Sequence, residues 1–316
     1  MGVERGIVVV GSYMRDQVMR VDAFPRPGET RIGHGYFATH GGKGSNQAVQ
    51  AARCGAAVAM IGAVGDDENG RGAMALWAGE GIGHADVAVR LGVATGVAMI
   101  LVDTAGENQI VIDPGANMSL APADIEAAEA RSDAASHLVA QLETPVASVR
   151  RAFEIARDAG VTTLLNTAPA PAAPIGDLVA LSDILIANEG EAASLAGLAE
   201  TAGFNIETGT RMAEAIGVRV LVVTAGAQGA CLFAHGSQAL HLTPPPVAEI
   251  VDTTGAGDAF IGAFAARLVE THDLAASMAW GVAAGSLACT RAGAVVSLAA
   301  GEDVERLAEN SAYTLK

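Results

Sequence analysis

A glycine-rich turn that leads into an apolar helix carries the clearest chemical pattern in this sequence. Residues 251–260 read Val-Asp-Thr-Thr-Gly-Ala-Gly-Asp-Ala-Phe, and apolar residues recur at helical spacing after them. The N–H groups in the first turn of a helix bind anions, and glycines let a phosphate approach the backbone. Asp258 would lie beside that anion, placed to take a proton from an attacking hydroxyl. The alternative is a carboxylate that only stabilises the helix dipole.

A second glycine-rich segment offers polar groups for a hydroxylated ligand. Residues 40–46 read His-Gly-Gly-Lys-Gly-Ser-Asn and lead into a predicted helix over 47–53. The segment is not a Walker A motif, because Gly44 follows Lys43 where that motif has Ser or Thr. Lys43 and Asn46 instead provide hydrogen-bonding groups suited to sugar hydroxyls. The alternative is a flexible surface turn.

Two later segments follow apolar runs and would lie where α/β sheets bind ligands, at the carboxyl ends of strands. Asn188 and Glu191 share the first turn of a predicted helix, where they would orient water around Mg²⁺ or form a capping box. Residues 224–229, Thr-Ala-Gly-Ala-Gln-Gly, would either bind a nucleotide or link two strands as a hairpin. Asp16 and Glu143 adjoin predicted strands and are candidate ligands for hydroxyl groups.

The elements that must position these residues alternate between short apolar runs and longer helical patterns. The helical patterns cover 146–158, 207–216, 255 to about 291, and 302–310. The candidate strands are 7–10, 58–63, 138–142, 161–165, 184–187 and 220–224. Because these runs are continuously apolar, they are typical of a parallel sheet with helices on both faces. The sequence therefore predicts an α/β fold with a doubly wound, mostly parallel sheet.

Two stretches interrupt this alternation with turn residues and short strand-like runs. Residues 12–40 and 95–113 read as β insertions that would pair into a small second sheet. Such a sheet, inserted into an α/β core, would form a lid over the site. The predicted division is an α/β domain of residues 1–11, 41–94 and 114–316, with the two insertions as the lid. A surface hairpin without function is the alternative.

The composition excludes several classes of partner. The 316 residues are 51% hydrophobic and include 19 basic and 35 acidic residues, which gives a net charge of −16. Such a chain repels nucleic-acid phosphates and anionic membranes. Cys54, Cys231 and Cys289 are far apart and form no CxxC pair, which argues against thiolate metal sites and a disulfide framework. Without a signal peptide or a membrane-length apolar run, we expect a soluble cytoplasmic protein.

The order and spacing of these motifs resemble the ribokinase-like (phosphofructokinase B) family of sugar kinases. The resemblance extends from about residue 7 to residue 297, and within the family it is closest to ribokinases. The matching segments are 24–29, 41–46, 115–117, 188–191 and 252–258. The resemblance implies an ATP-dependent pentose kinase that phosphorylates O5 of D-ribose, with Mg²⁺ and K⁺ as cofactors. It also implies a homodimer formed through paired lids.

The resemblance also implies a role for each matching residue. Asp258 would be the catalytic base. The anion hole would consist of the N–H groups of Gly255, Ala256 and Gly257. The sugar would contact Met14, Asp16, Gly42, Lys43, Asn46, Glu143, Asp252 and Asp258. The nucleotide would contact Asn188, Thr224, Gly226, Gln228, Gly229, Gly257 and Gly281. Glu191 would hold Mg²⁺ through water, and K⁺ would be bound by Asp252, Thr254, Ala288, Arg291, Gly293 and Ser297.

Two positions depart from the pattern of the family. Ribokinases carry Asn two residues before the sugar-binding Asp, and this chain has Met14 there. If Met14 faces C2 of the sugar, a 2-hydroxyl is poorly satisfied, at a cost of about 1–3 kcal/mol, or about five- to 150-fold. We therefore keep 2-deoxyribose beside ribose as a substrate. The family carries His or Asn near the adenine where this chain has Gly281, which leaves room for the base and blurs the nucleotide preference.

Other functional classes fit the sequence less well. A dinucleotide-dependent dehydrogenase would show G-x-G-x-x-G after the first strand, but Gly-Ser-Tyr-Met follows Val10. A non-catalytic sugar-binding regulator is the alternative from another class, and the intact segment around Asp258 argues against it. Adenosine, fructose and 2-keto-3-deoxygluconate kinases share the expected fold, but the ribokinase-like segments near the N-terminus disfavour them.

Overall fold

A ten-stranded sheet and a four-stranded sheet organise the protein. The structure is a computed structural model that describes residues 6–129, 135–171, 173–198, 204–309 and 313–315. The strands are β1 (Gly6–Val10), β2 (Met14–Arg20), β3 (His34–Gly41), β4 (Ala57–Gly65), β5 (Gly83–Arg90), β6 (Val97–Val102), β7 (Asn108–Asp113), β8 (His137–Ala140), β9 (Thr162–Asn166), β10 (Ile184–Asn188), β11 (Val220–Thr224), β12 (Ala230–Ala234), β13 (Leu240–Leu242) and β14 (Tyr313–Leu315).

Helices cover both faces of the larger sheet. They are α1 (Lys43–Arg53), α2 (Glu68–Gly79), α3 (Pro122–Ala127), α4 (Val146–Asp158), α5 (Gly176–Ala180), α6 (Glu189–Leu195), α7 (Ile206–Ile216), α8 (Ala256–Thr271), α9 (Leu274–Ala288) and α10 (Gly301–Ala308). In the part of the chain that the structure describes, none of the helices combines the length and hydropathy that crossing a bilayer requires.

The larger sheet has the order β14-β13-β12-β11-β10-β9-β8-β1-β4-β5. It is parallel from β11 to β5, and β12, β13 and β14 are antiparallel. The strands are continuously apolar because both faces are buried. In β1, Ile7 and Val9 contact one core cluster, while Val8 and Val10 contact the other. Burial of each such side chain contributes about 1.5–3 kcal/mol. The predicted fold class is confirmed.

The close approach of α8 to α1 positions polar side chains at one end of the core. A Cβ atom on Gly262 would lie 2.5 Å from the carbonyl oxygen of Gln47, so only glycine permits this spacing. Phe264 of α8 packs into the same core cluster as Val49 of α1. The contact brings the amino-terminal turns of both helices together, and these turns carry Asn46 and Asp258.

The smaller sheet has the order β3-β2-β6-β7 and consists of the two predicted β insertions. β2 pairs antiparallel with β3 and parallel with β6, and β7 pairs antiparallel with β6. The predicted second sheet is confirmed, and β3 continues one residue beyond the predicted boundary, to Gly41. We call this sheet the lid. The division of the chain into an α/β domain and a lid domain stays a prediction.

The lid presents one side of its pleat to the core. Side chains alternate along each strand, so Asp16, Val18 and Arg20 line a cavity between the lid and the core. Gln17 and Met19 occupy the alternate positions and point to the other side. The charged and polar residues near the start of β2 therefore lie over the larger sheet, as a lid requires.

Several boundaries differ from the sequence-based prediction. The helix expected from residue 47 begins at Lys43, and the strand expected over 138–142 ends at Ala140. α10 spans Gly301–Ala308, and residue 310 of the predicted helix lies outside the described residues. The sequence-based prediction began this first helix too late because glycines occupy positions 41, 42 and 44, and glycine has a low helix propensity.

Candidate active site

Site residues follow the ends of neighbouring strands. Asn166 ends β9, Asn188 ends β10 and Thr224 ends β11, while Glu143 lies three residues after β8. Because these strands are parallel, their carboxyl ends meet at one edge of the sheet. Glu143, which is predicted for the sugar, therefore shares one edge with Asn188 and Thr224, which are predicted for the nucleotide.

Asp258 is buried in the first turn of α8 and is held by two side-chain amides. Its Oδ2 atom accepts a hydrogen bond from Asn46 Nδ2 at 2.8 Å, and its Oδ1 atom accepts one from Gln47 Nε2 at 3.0 Å. Gly255, the residue before the helix, has φ +77°, which turns the chain into α8. The two amides fix the orientation of a carboxylate at the positive end of a helix dipole.

A network of buried amides lies behind Asp258, and sequence analysis missed it. Gln47 Oε1 accepts from Gln141 Nε2 at 2.6 Å, and Gln47 Nε2 also donates to Asn166 Oδ1 at 3.2 Å. Asn166 Nδ2 in turn donates to the carbonyl of Ile186 at 3.2 Å. The available signal was a polar residue at or just after a buried apolar strand, as at Asn166 and Gln141.

Glu143 and Asp16 place two more carboxyl groups near Asp258. Glu143 Oε2 accepts from the hydroxyl of Ser12 and, at 3.0 Å, from the backbone N–H of Lys43. Burial raises the pKa of Asp16 to about 7, with further upward contributions from Glu143 and Asp258 and a smaller opposing one from Arg15. The site therefore concentrates negative charge, and one of its carboxyl groups titrates near neutrality.

Lys43 supplies the positive charge among these groups. Burial by itself would lower the pKa of the ammonium, but the charges of Asp258, Glu143 and Glu191 outweigh burial and raise it. Lys43 thus stays protonated at neutral pH. Of these carboxyl groups, Glu143 is predicted for the sugar, Glu191 is predicted for the metal, and Asp258 is the candidate base. Lys43 therefore lies where these parts of the site meet.

A cavity of about 430 Å³ lies beside the first turn of α8. Thr224, Gly226, Gly229 and Gly257 line it, as predicted for the nucleotide site. Its remaining lining is mostly apolar and includes Pro244, Pro245, Val247, Ile250, Phe260 and Val282. A mostly apolar cleft with a few polar groups is the ordinary character of a cofactor site.

Three residues predicted for the nucleotide, Asn188, Gln228 and Gly281, do not line this cavity. Gly281 lies behind Phe260, whose ring atoms are 2.8–3.0 Å from the place where a Cβ would lie. Phe260 fills the space beside Gly281, so Gly281 does not line the cavity, and its place near the base stays a prediction. Val282, the next residue of α9, lines the cavity instead. The backbone carbonyl of Gln228 accepts a hydrogen bond from His241 Nε2 at 2.8 Å.

The first turn of α8 offers N–H groups toward the same region. Ala256 N–H donates to the carbonyl of Thr253 at 3.2 Å, whereas no hydrogen-bond acceptor within the described ranges is recorded for the N–H groups of Gly255 and Gly257. A Cβ atom on Gly257 would face open space. Two of the three N–H groups predicted for the anion hole are therefore available to an anion.

Asn188 and Glu191 form the capping box that the sequence allowed. Asn188 Oδ1 accepts from the N–H of Glu191 at 2.8 Å, and Glu191 Oε2 accepts from the N–H of Asn188 at 3.0 Å. The hydroxyl of Thr167 also donates to Glu191 Oε2, at 3.2 Å. Capping does not preclude a further role, because a carboxylate accepts several hydrogen bonds and Oε1 remains for water.

Residues predicted for a monovalent cation come together around Asp252. Its Oδ1 accepts from the N–H of Thr254 and its Oδ2 from the N–H of Gly293, both at 2.9 Å. Burial disfavours the charged form, but these hydrogen bonds hold the pKa of Asp252 below its usual value. The hydroxyl of the buried Ser297 donates to the carbonyl of Ala294 at 2.7 Å. Ala288 ends α9, and Arg291 lies in the turn that follows it.

The second cavity, of about 330 Å³, lies between the lid and the core. Asp16 and Ile100 line it from the lid, and Asp252, Gly293 and Thr253 line it from the core. Thr253 also lines the apolar cavity beside α8, so the two cavities adjoin at this residue.

The comparisons with known proteins agree with this arrangement. The model of the pfkB family carbohydrate kinases matches residues 4–300. The bifunctional ribokinase/ribose-5-phosphate isomerase A of Fructilactobacillus sanfranciscensis is 37% identical over 92% of the chain, and the chain spans 54% of that protein's length. The ribokinase of Staphylococcus aureus is 37% identical over 95% of the chain and 99% of the relative.

The chain is also similar to a deoxyribokinase and to a solved ribokinase structure. The deoxyribokinase of Salmonella typhi is 35% identical over 86% of the chain and 88% of the relative. The structure of Arabidopsis thaliana ribokinase, complexed with ribose and ATP, has a TM-score of 0.87 at 29% identity and covers 96% of this chain and 99% of that one. The family model spans nearly the whole fold and both glycine-rich segments of the site. The chain therefore belongs to the pfkB family of carbohydrate kinases.

Proposed function

We propose that this carbohydrate kinase transfers the γ-phosphoryl group of ATP to the O5 hydroxyl of D-ribose. The observation that carries the proposal is the Asp258 carboxylate, fixed by the amides of Asn46 and Gln47 at the amino terminus of α8. The two cavities adjoin beside this turn, at Thr253. A donor in the apolar cavity and an acceptor under the lid would thus meet near the start of α8, the helix whose first turn carries Asp258.

In the proposed reaction, Asp258 takes the proton of the sugar hydroxyl as the O5–phosphorus bond forms. The bond between the γ-phosphorus and the bridging oxygen breaks, and ADP leaves with that oxygen. Phosphoryl transfer has little covalent chemistry for the protein to perform, so positioning and electrostatic stabilisation dominate. The N–H groups of Gly255 and Gly257 would stabilise the transferring group, and Lys43 would offset its charge against the surrounding carboxylates.

The residues present fit a magnesium nucleotide. Mg²⁺ binds one or two carboxylates and keeps its waters and the substrate phosphates as other ligands. Glu191, with Oε2 in the capping box, offers its second carboxylate oxygen at the end of β10. Among the described residues, no cluster of three or more His, Cys, Asp or Glu side chains could hold a metal by itself, which agrees with a metal that arrives with ATP. Bound there, Mg²⁺ would neutralise phosphate charge.

The proposed K⁺ site has the donor chemistry of a hard cation. Asp252 is ionised, and it ties the turn that holds Thr254 to the turn that holds Gly293. The adjoining carbonyl oxygens are of the kind that binds such ions. K⁺ in this place would brace the segment that begins α8, which is the segment that presents the anion hole.

The relatives support ribose and ATP as substrates. The Staphylococcus aureus relative is a ribokinase, and the Arabidopsis thaliana structure is of a ribokinase complexed with ribose and ATP. A cytoplasmic location, expected from the sequence, is part of the proposal. A regulator that only binds sugar stays the alternative from another class, and ATP turnover distinguishes the two.

Met14 favours 2-deoxyribose as a second candidate substrate. It begins β2, is 3% exposed, and lies with its Sδ atom 3.6 Å from Asn117 Nδ2. The thioether of Met14 is only a weak hydrogen-bond acceptor. If Met14 faces C2 of the sugar, the 2-hydroxyl of ribose would lack a good hydrogen-bond partner there. The family includes this specificity, since the Salmonella typhi relative is a deoxyribokinase.

The experiment that tests the proposal compares ATP turnover with ribose and 2-deoxyribose, with Mg²⁺ and K⁺ present. We expect turnover of at least one pentose, and we expect Met14→Asn to shift kcat/KM toward ribose by about fivefold or more. Met118→Asn is the control, because Met118 is exposed outside the site. Turnover of neither pentose would overturn the proposal. An unchanged ratio in Met14→Asn would show that Met14 does not select the sugar.

The raised pKa of Asp16 predicts a pH dependence of sugar use. Its carboxylate is the acceptor for sugar hydroxyls, and its pKa is about 7. The value of kcat/KM for the sugar should therefore rise from pH 6 to pH 8, and Asp16→Asn should flatten this limb. An identical pH profile in the variant would contradict the prediction.

The same shift predicts the sign of a stability effect. The folded pKa of Asp16 lies above the usual 3.8, so its contribution to stability is present below pH 3.8 and is lost as the pH rises through about 7. An Asn side chain does not ionise, so Asp16→Asn abolishes this loss of stability at high pH. The melting temperature of the variant minus that of the wild type should therefore be larger at pH 8 than at pH 5. Thermal unfolding at both values measures the difference.

The outer side of the lid supports the proposed homodimer. Met19, Tyr36, Met99 and Val111 are exposed there, on the strand positions that face away from the core. Apolar groups on one face of a small sheet are typical of an association surface. Light scattering of the wild type and of the Val111→Lys variant measures the number of subunits in each protein and thereby tests whether this surface forms the dimer.

A further inference from the structure

The lid joins the core at four chain crossings. The chain enters β2 through residues 11–14 and leaves β3 through 41–43. It then enters β6 through 94–97 and leaves β7 through 113–115. We propose that Asn117 and Tyr13 bind these crossings into one hinge and thereby act as positioning residues for the sugar. The inference rests on the proposed function, because it concerns the same sugar site.

Asn117 connects the first crossing to the fourth. It is 0% exposed, in the short 3₁₀ helix Gly115–Ser119. Its Oδ1 accepts from the N–H of Tyr13 at 3.0 Å, and its Nδ2 donates to the carbonyls of Tyr13 at 2.8 Å and Pro114 at 2.9 Å. Both backbone polar groups of Tyr13 are thus held by one side chain. Each such buried hydrogen bond contributes about 0.5–1.5 kcal/mol, and an unsatisfied partner costs more.

The third crossing packs against the same amide. A Cβ atom on Gly96 would lie 2.5 Å from Asn117 Nδ2 and 2.6 Å from Met14 Sδ, so glycine alone fits there. The carbonyl of Gly96 also accepts from the N–H of Arg15 at 2.8 Å, which fastens this crossing to β2. Three of the four crossings therefore meet at Asn117.

The side chain of Tyr13 connects the second crossing. Its hydroxyl forms a 2.8 Å hydrogen bond with Nδ1 of His40, near the end of β3. Its ring packs edge-on against Trp77 with the centroids 5.7 Å apart, and Trp77 Nε1 donates to Ser45 Oγ at 3.0 Å. Tyr13 is 1% exposed, and burial raises its pKa to about 12, so the phenol stays neutral. The hinge is thereby anchored to α1 and α2.

This hinge determines where the proposed sugar-binding residues of β2 lie. Met14 and Asp16 follow Tyr13 by one and three residues, so a displaced Tyr13 backbone displaces both. The residues that line the apolar cavity all belong to the core. Loss of the hinge should therefore weaken sugar binding and leave ATP binding unchanged. A general loss of stability would not separate the two substrates in this way.

The test measures the KM for ATP and for the preferred pentose in Asn117→Asp and Asn117→Ala. The Asp variant keeps the acceptor for Tyr13 N–H and loses both donors. Ser148→Ala is the matched control, because Ser148 is equally buried and its hydroxyl donates to the Leu120 carbonyl at 2.7 Å, outside the hinge. We expect the sugar KM to rise about tenfold or more in both Asn117 variants, with the ATP KM within about threefold of the wild type.

A second measurement keeps the test decisive if Asn117 variants unfold. Tyr13→Phe removes only the hydroxyl bonded to His40, and the full chain should stay folded. Backbone hydrogen exchange in β2 and β3 should become faster in this variant, while exchange in β8 and β9 stays unchanged. The inference would be overturned if the KM for the sugar and the KM for ATP rose equally in the Asn117 variants. It would also be overturned if the sugar KM in those variants and the hydrogen exchange in Tyr13→Phe were both unchanged. A wild type that turns over no pentose defeats the proposed function, and the exchange measurement still decides on the hinge.

Discussion

Replacement of Asp258 by Asn should lower the turnover number by about 10³-fold or more and leave the protein folded. A positioned general base contributes about 10²–10⁴-fold, and an amide cannot take the hydroxyl proton. The amide would also turn an N–H donor toward Asn46 Nδ2 or Gln47 Nε2, which are themselves donors. Steady-state turnover with the preferred pentose, beside thermal unfolding, measures the effect.

Asp183→Asn is the matched control for this substitution. Asp183 also accepts two hydrogen bonds, from the N–H of Thr163 at 3.0 Å and from its hydroxyl at 3.3 Å. It lies just before β10, at the sheet edge opposite to the site. Its replacement should lower the melting temperature and leave turnover unchanged. If Asp258→Asn kept more than about a tenth of the wild-type turnover, the assignment of the base would be wrong.

Replacement of Lys43 by Met should have the second-largest effect. Its ammonium lies among the charges of Asp258, Glu143 and Glu191, which raise its pKa against the effect of burial. Without it, the transferring phosphoryl group would meet these carboxylates in a chain of net charge −16. Removal of one such stabilising group costs about 10²–10³-fold. We expect kcat/KM for ATP to fall by that amount.

Lys43→Arg separates charge from shape in this prediction. It keeps the positive charge on a larger group, so it should recover part of the loss, chiefly in the KM for ATP. The sequence contains only two lysines, Lys43 and Lys316, so the peptide that carries Lys43 is readily identified after labelling with an amine-reactive reagent. ATP should protect Lys43 from the reagent, which peptide mapping of the labelled protein measures. Equal labelling with and without ATP would place Lys43 away from the phosphates.

The apolar patterning was sufficient to predict the architecture. Runs such as 184–187 and 220–223 are apolar at every position because both faces of the sheet are covered, and this pattern at that length is typical of a buried parallel strand. The lid was also predictable, since residues 12–40 and 95–113 lack helical periodicity. Their pairing as one sheet depends on the parallel contact of β2 with β6, between strands more than 70 residues apart, which a local pattern does not contain.

Prediction of the site failed where one residue or one amide decides the geometry. Successive residues of a helix differ by about 100° around its axis, so neighbouring residues face different surroundings. Val282 of α9 lines the cavity, whereas Gly281, the residue that the sequence indicated, faces Phe260. Gln47 and Gln141 carry no motif, because an amide beside a strand end is recognisable only when its partner is known. Asn46 and Asp258 were predictable because glycines mark their turns.

The supports of the candidate base and two of the proposed sugar-binding residues, Met14 and Asp16, belong to different parts of the protein. The two amides that hold Asp258 belong to α1, and Gln47 is held in turn by Gln141, just after β8, and by Asn166 of β9. Met14 and Asp16, in contrast, lie on the first strand of the lid. With the proposed assignment, substitutions on that strand would alter which hydroxyl groups are accepted and leave the phosphoryl-transfer machinery intact. Such a separation would let a lineage change its substrate by small steps while every intermediate remains an active kinase.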